Sequence, residues 1–325
     1  MFLLQKTSIF IVLLIATAVL MFLSAILGVI LDNFVEARSF FYYGLLILLI
    51  SLFLTFASFK RALSSPIRSQ ILVAISSFII LPLIFTLPLL SLLPELDIHT
   101  LYFEMVSAFT TTGLTGLYTI DGISDTILFW QALVAWFGGL LIWTFYFLIF
   151  ATLDINDIFT MDGNRRKIEK KSYENKKIHH TEVFLNTFGS IFLPYIILTM
   201  VLWGVLRATG DNTFIALIYA MSTMSTSGIS PYGSELNSTN YFGLLAVFVF
   251  LLFALNSNSI INFKPLKFKS KIFINIEVNV AIKLVMLSSL ILSIIYFQKY
   301  YSVDNILTTI LKNFFICLSF LTTTG

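Results

Sequence analysis

Long apolar runs alternate with short polar breaks along almost the whole chain. Residues 8–31 and 40–59 are each long enough to cross a bilayer, which takes about 20 apolar residues, and residues 32–38 part them as a short polar hairpin. Residues 71–93 form a third crossing segment; Pro82 and Pro88 lie within it, and neighbouring helices can accommodate both. The rhythm then breaks. Residues 101–109 are apolar but make only about two and a half helical turns, too few to cross, and they run into the polar stretch 110–115 and a tail holding Asp121 and Asp125. A short apolar helix ending in a polar, non-helical turn predicts a re-entrant segment, because irregular backbone at membrane depth survives only when enclosed by protein or facing a watery cavity. Residues 127–153 cross next. After the hydrophilic linker 154–181 the pattern returns: 183–206 crosses, 214–224 is short, 225–230 is a polar turn and 241–261 crosses. Residues 278–297 cross again, and 306–321 approach the membrane once more before Gly325.

Composition sharpens this into a class. Of 325 residues, 58% are hydrophobic and 11% charged, against about 25% charged in a soluble domain. The predicted fold is an all-α polytopic membrane protein. The first apolar run exceeds a signal-peptide core of roughly 7–15 residues, so it reads as a span. A net charge of +3 is too small for nucleic-acid binding, and Cys317, the single cysteine, cannot form an intrachain disulfide.

The placement of charge says more than its sum. Lys60, Arg61 and Arg68 make one basic link. Arg165, Arg166, Lys167, Lys170, Lys171, Lys176 and Lys177 make a second, and Lys264, Lys267, Lys269 and Lys271 a third. With the N-terminus inside and the short helices not crossing, all three face the cytoplasm, as positive-inside bias requires. The polar turns then lie near the outer face. If the short helices crossed, the basic links would alternate sides.

Those turns read FTTTGLT at 109–115, MSTSGIS at 224–230 and LTTTG at 321–325. Aligned on Gly113, Gly228 and Gly325, their upstream flanks FEMVSAF, IYAMSTM and FICLSFL also correspond, with Ser107, Ser222 and Ser319 six residues before each glycine. This is an internal repeat. A dehydrated monovalent cation needs several oxygens in place of its water, and repeated loops of backbone carbonyls supply them. Glycine permits the required backbone angles, hydroxyls add oxygens, and the short helix turns its partially negative C-terminal end to the site. Ser/Thr/Gly clusters also serve simple close packing of membrane helices, but three matched copies on one side of the membrane favour ion coordination.

Other residues carry weaker signals. Glu104 in the first short helix suits either cation attraction at an outer mouth or stabilisation of a helix N-terminus. His99 reads as a loop residue, and His179 and His180 as solvated members of the basic linker, without ligand partners at metal spacing. Asn256 and Asn258 suit either the pathway or a helix end, and Trp130 and Trp136 suit packing and interface anchoring. A membrane enzyme would need a convergent polar cluster at one membrane face, and the sequence offers none; nor does it hold a phosphate-binding loop or nucleophile elbow.

WQALVAWFGGLLI at 130–142, following FEMVSAFTTTGLT, resembles the second-helix signature of the Trk/Ktr/HKT superfamily of potassium transporters. The two extra spans before the first repeat resemble its TrkH/TrkG-type branch. The resemblance implies repeated helix–re-entrant pore loop–helix units around a central ion pathway, four in the family. It implies residues 1–68 as two N-terminal transmembrane helices, 69–181 as pore repeat 1 with the basic cytoplasmic linker, 182–273 as repeat 2 and 274–325 as a partial repeat 3. Thr111, Thr112, Gly113, Thr226, Ser227, Gly228, Thr323, Thr324 and Gly325 would then supply the oxygens of a potassium selectivity filter. Glycine at all three positions implies potassium as the transported substrate; a sodium-permeable relative is the alternative. No cofactor is implied. The resemblance further implies a homodimer in the plasma (inner) membrane, surrounded by lipid, with a cytosolic TrkA-type nucleotide-binding regulator. Because the chain stops on the third filter glycine, it is expected to be a fragment of a longer protein, its pore incomplete at the C-terminus.

Overall fold

The computed structural model describes residues 8–58, 66–114, 123–152, 180–230, 276–299 and 306–321. All regular structure among them is helical: α1 Ile9–Ile30, α2 Phe34–Ser58, α3 Pro66–Leu92, α4 Ile98–Phe109, α5 Asp125–Thr152, α6 His180–Ala208, α7 Thr213–Ser225, α8 Ile276–Lys299 and α9 Ile306–Leu321. Five of them, α1, α2, α3, α5 and α6, carry stretches long and apolar enough to cross a membrane. In α8 the apolar stretch is the shorter Ile282–Ile295. The expected span at 241–261, Lys60 and Arg61 of the first basic link, residues 154–179 of the expected linker 154–181 with His179, the basic link at 264–271, and Asn256 and Asn258 lie outside the described residues.

The expected polar hairpin at 32–38 shrinks to three residues. Asp32 takes a left-handed conformation, φ 59°, and the amides of Asp32 and Asn33 donate back to the carbonyls of Val29 and Gly28 at 3.3 and 2.8 Å. This closure satisfies orphan carbonyls at the end of α1. Asn33 then starts α2, its carbonyl accepting the Ala37 amide at 3.0 Å. Helix α2 therefore begins six residues before the start read from hydropathy, with Glu36 and Arg38 on its first turns. His99, read as a loop residue, stands exposed in the first turn of α4.

The described chain forms two compact units: Met1–Thr110 with Leu114–Ile197, and Thr111–Gly113 with Leu198–Gly325. In the first, α5 is the most enclosed of the long helices. Its Trp130 is fully buried between Phe40 of α2 and Phe85 of α3, with ring centroids at 5.1 and 5.6 Å. The indole Nε1 donates to the Phe85 carbonyl at 3.3 Å. Trp130 is a core residue and does not anchor at an interface. Trp136 packs on Tyr195 of α6 at 5.0 Å, and the Tyr195 hydroxyl donates to the Trp136 carbonyl at 3.2 Å. In the second unit, Leu202 and Leu206 of α6 pack on Ala216 and Ala220 of α7. Also in that unit, Asn313 of α9 donates to Ser293 of α8 at 3.1 Å in a buried contact.

Candidate cation site

Two short helices carry the two turns that the structure describes. Helix α4 has 12 residues and α7 has 13, about 18–20 Å at 1.5 Å per residue, well short of the roughly 30 Å hydrocarbon core. Both start at a residue in extended conformation with a side chain suited to an N-cap, Asp97 and Asn212. The Asn212 side chain accepts the Phe214 amide at 3.4 Å. Positions 97 and 212 are separated by the same 115 residues as Gly113 and Gly228. The repeat therefore runs from the cap through the helix to the glycine, well beyond the matching flanks visible in sequence.

At their C-terminal ends the two helices break alike. Thr111 and Thr226 have φ of 58° and 53°, and Gly113 and Gly228 have φ of 74° and 67°. Among the described residues only Asp32 shares positive φ with these threonines outside glycine. For a β-branched residue this conformation is a genuine outlier, costing on the order of 1–3 kcal/mol unless the surroundings enforce it. Here it recurs at equivalent positions of two repeats. Between each threonine and glycine stands one residue without positive φ, Thr112 or Ser227. A backbone whose φ changes sign residue by residue departs from the alternate pointing of strand carbonyls and can gather its polar groups into a concavity. The oxygens available there are neutral carbonyls and hydroxyls.

Thr111–Gly113 and the second turn belong to the same compact unit, and they touch. A Cβ placed on Gly113 would collide with the Ser227 carbonyl oxygen and lie 2.8 Å from its carbon. Gly113 is thus required twice, for its φ and for this approach. The second turn is closed by the amides of Thr226 and Ser227, which donate to the carbonyls of Thr223 and Ser222 at 3.2 and 3.0 Å. The Ser225 hydroxyl proton is shared between the Met221 carbonyl at 2.9 Å and Ser227 Oγ at 3.0 Å, and Ser227 Oγ donates in turn to Ser222 Oγ at 3.4 Å. Ser227 is fully buried, so its hydroxyl serves the protein, and what it presents toward the first turn is its carbonyl. Thr112, the residue in its place in the first turn, is exposed, while Thr111 and Thr226 are half-buried. Thr323, Thr324 and Gly325 lie outside the described residues.

Two features of the first repeat, at Gly138 and Phe109, escaped the sequence reading, and the structure decides between the readings of a third residue, Glu104. Gly138 on α5 faces the end of α4: a Cβ there would strike the Phe109 carbonyl oxygen and sit 3.1 Å from the Phe109 Cα. Phe109 itself is fully buried against Phe78, Phe85 and Phe137, with centroids at 4.9, 5.3 and 6.2 Å. Glu104 lies midway along α4, buried, with Oε2 accepting from Gln131 of α5 at 3.3 Å. It is past the first turn, so stabilising the helix N-terminus is not its role. The paired glycines at 138–139 in the WFGG stretch were the available signal for the first feature.

The model of the family described as TrkH, cation transport protein, matches residues 36–312. The chain is 27% identical over 238 residues to the Trk system potassium uptake protein TrkH of Salmonella typhimurium, covering 71% of this chain and 47% of that protein. It is 29% identical over 175 residues to the Trk system potassium uptake protein TrkI of Halomonas elongata, covering 54% of this chain and 31% of that protein. The chain thus spans about half or less of the length of these relatives. The crystal structure of the potassium transporter TrkH from Vibrio parahaemolyticus superposes with a TM-score of 0.76 at 22% identity, over 100% of this chain and 65% of that one.

Proposed function

Because the chain belongs to the TrkH family of cation transport proteins, matched over residues 36–312, we propose that it forms part of a membrane pathway through which potassium ions are taken up. It is a multi-pass membrane protein with long apolar helices. The observation that carries the proposal is the pair of equivalent turns, Thr111–Gly113 and Thr226–Gly228, which share an uncommon backbone and meet within one compact unit. In this reading carbonyls and hydroxyls of Thr111, Thr112, Gly113, Thr226, Ser227 and Gly228, joined by Thr323, Thr324 and Gly325, replace the hydration shell of a potassium ion. Ser227 takes part through its carbonyl. The C-terminal ends of α4 and α7 add partial negative charge beside the turns.

The four-part division at 68, 181 and 273 remains the proposed arrangement of two leading helices and three pore repeats. The basic stretches 60–68, 165–177 and 264–271 support a cytoplasmic N-terminus in an inner membrane. A homodimer with a cytosolic TrkA-type regulator completes the proposal. The membrane potential, worth about 2.3 kcal/mol per charge per 100 mV, drives uptake alone or together with a second, coupled ion. Expression of the intact gene product in a strain lacking potassium uptake tests the reading. Growth at low potassium is expected; failure to grow despite membrane insertion, or uptake of sodium in preference, counts against it.

A further inference from the structure

The two described turns are braced differently. Behind the second, Ser222, Ser225 and Ser227 are all buried and linked through their hydroxyls at 3.0 and 3.4 Å. Behind the first, Ser107 occupies the position of Ser222, yet its buried hydroxyl has no hydrogen-bond partner among the described residues. Thr112, in the position of Ser227, is exposed where Ser227 is buried. Ser227 is therefore held at three points. Its amide donates to the Ser222 carbonyl at 3.0 Å, its hydroxyl joins the serine chain, and its carbonyl abuts Gly113. Ser107 thus starts no such serine chain among the described residues, and Gly113 lies against the carbonyl that the second turn's chain fixes in place.

Building on the reading of these turns as an ion filter, we infer that Ser227 is a positioning residue that sets both turns at once. The serine chain fixes the second turn's backbone, and the Ser227 carbonyl props Gly113 and with it the first turn. The hydroxyl acts on other protein atoms and not on the ion. A buried polar chain rigidifies what it satisfies, so loosening it lets two stretches of carbonyls shift together. Discrimination between potassium and sodium, which differ in the spacing and number of oxygens they accept, is the property most exposed to such a shift.

The test is the potassium-to-sodium flux ratio of Ser227→Ala and Ser222→Ala in the intact gene product, with membrane insertion measured alongside. Ser227→Ala is expected to lower the ratio about fivefold, the equilibrium change carried by one net hydrogen bond, with insertion preserved. Ser222→Ala is expected to shift it the same way, although Ser222 sits inside α7 and, in this account, never touches the ion. Gly113→Ala combined with Ser227→Ala is expected to fall short of the summed single effects, because both act on one contact. Ser288→Ala, whose hydroxyl bonds only within α8 among the described residues, leaves the ratio unchanged. A potassium-selective wild type whose ratio survives both serine substitutions overturns the inference alone. A shift in Ser227→Ala with none in Ser222→Ala overturns it too, because that pattern makes the hydroxyl an ion ligand. If Ser227→Ala fails to insert, Ser222→Ala decides by the same criterion. A wild type that carries neither ion overturns the filter reading, and this inference with it.

Discussion

Thr111 and Thr226 hold backbone angles that a β-branched residue adopts only under constraint, and each sits two residues before a glycine that shares positive φ. The conformation has a cost, and relieving it has a measurable consequence. Thr226→Gly is expected to raise the melting temperature of the purified protein, since glycine avoids about 1–2 kcal/mol of left-handed penalty, while impairing discrimination between potassium and sodium. Gly113→Ala meets both the φ of 74° and the Ser227 carbonyl. A loss of potassium uptake of about tenfold or more is expected, in line with 1–3 kcal/mol of local strain, measured as initial rate at equal expression. That a glycine with positive φ closes each turn was legible in the TTTG and STSG runs. The angles of the threonines were not, because a run of hydroxylated residues does not specify which of them enters the left-handed region. The inward turn of Ser227 was equally hidden: its neighbours on the same helix end, Ser222 and Ser225, become partners only once α7 is closed by its terminal hydrogen bonds.

Helices were legible at the level of existence and less so at their ends. Hydropathy found α1 to α5 in order, because each buries or exposes an unbroken apolar surface, and it marked α4 and α7 as too short to cross. It missed the start of α2, since a left-handed Asp32 and two back-donated amides turn the chain in fewer residues than the polar stretch suggests. It also gave α5 no role beyond spanning. Yet α5 fixes the end of α4 through Gly138 against Phe109, and seats its own core through Trp130. Gly138→Ala is expected to destabilise the protein by about 1–3 kcal/mol, the usual cost of overpacking, and to reduce uptake through displacement of α4. Trp130→Phe keeps the ring contacts and removes the bond to Phe85, for a loss of about 1 kcal/mol. Both are read from thermal unfolding in detergent, with uptake assayed in parallel.

At the scale of the molecule, hydropathy and composition lead to an all-helical, multi-pass membrane protein, and the family match over residues 36–312 agrees with that class. What sequence could not give was the meeting of the two turns, because residues 113 and 227 are joined by folding and not by any local pattern. That meeting is the centre of the account. Its most direct test is the reversal potential across membranes containing the purified wild type or Gly113→Ser, with potassium on one side and sodium on the other. The account predicts a wild-type potential set by the potassium gradient, and a shift toward the sodium potential in the variant, whose added side chain pushes on the Ser227 carbonyl. A wild-type potential indifferent to potassium, or a Gly113→Ser variant with unaltered selectivity at full activity, would contradict it.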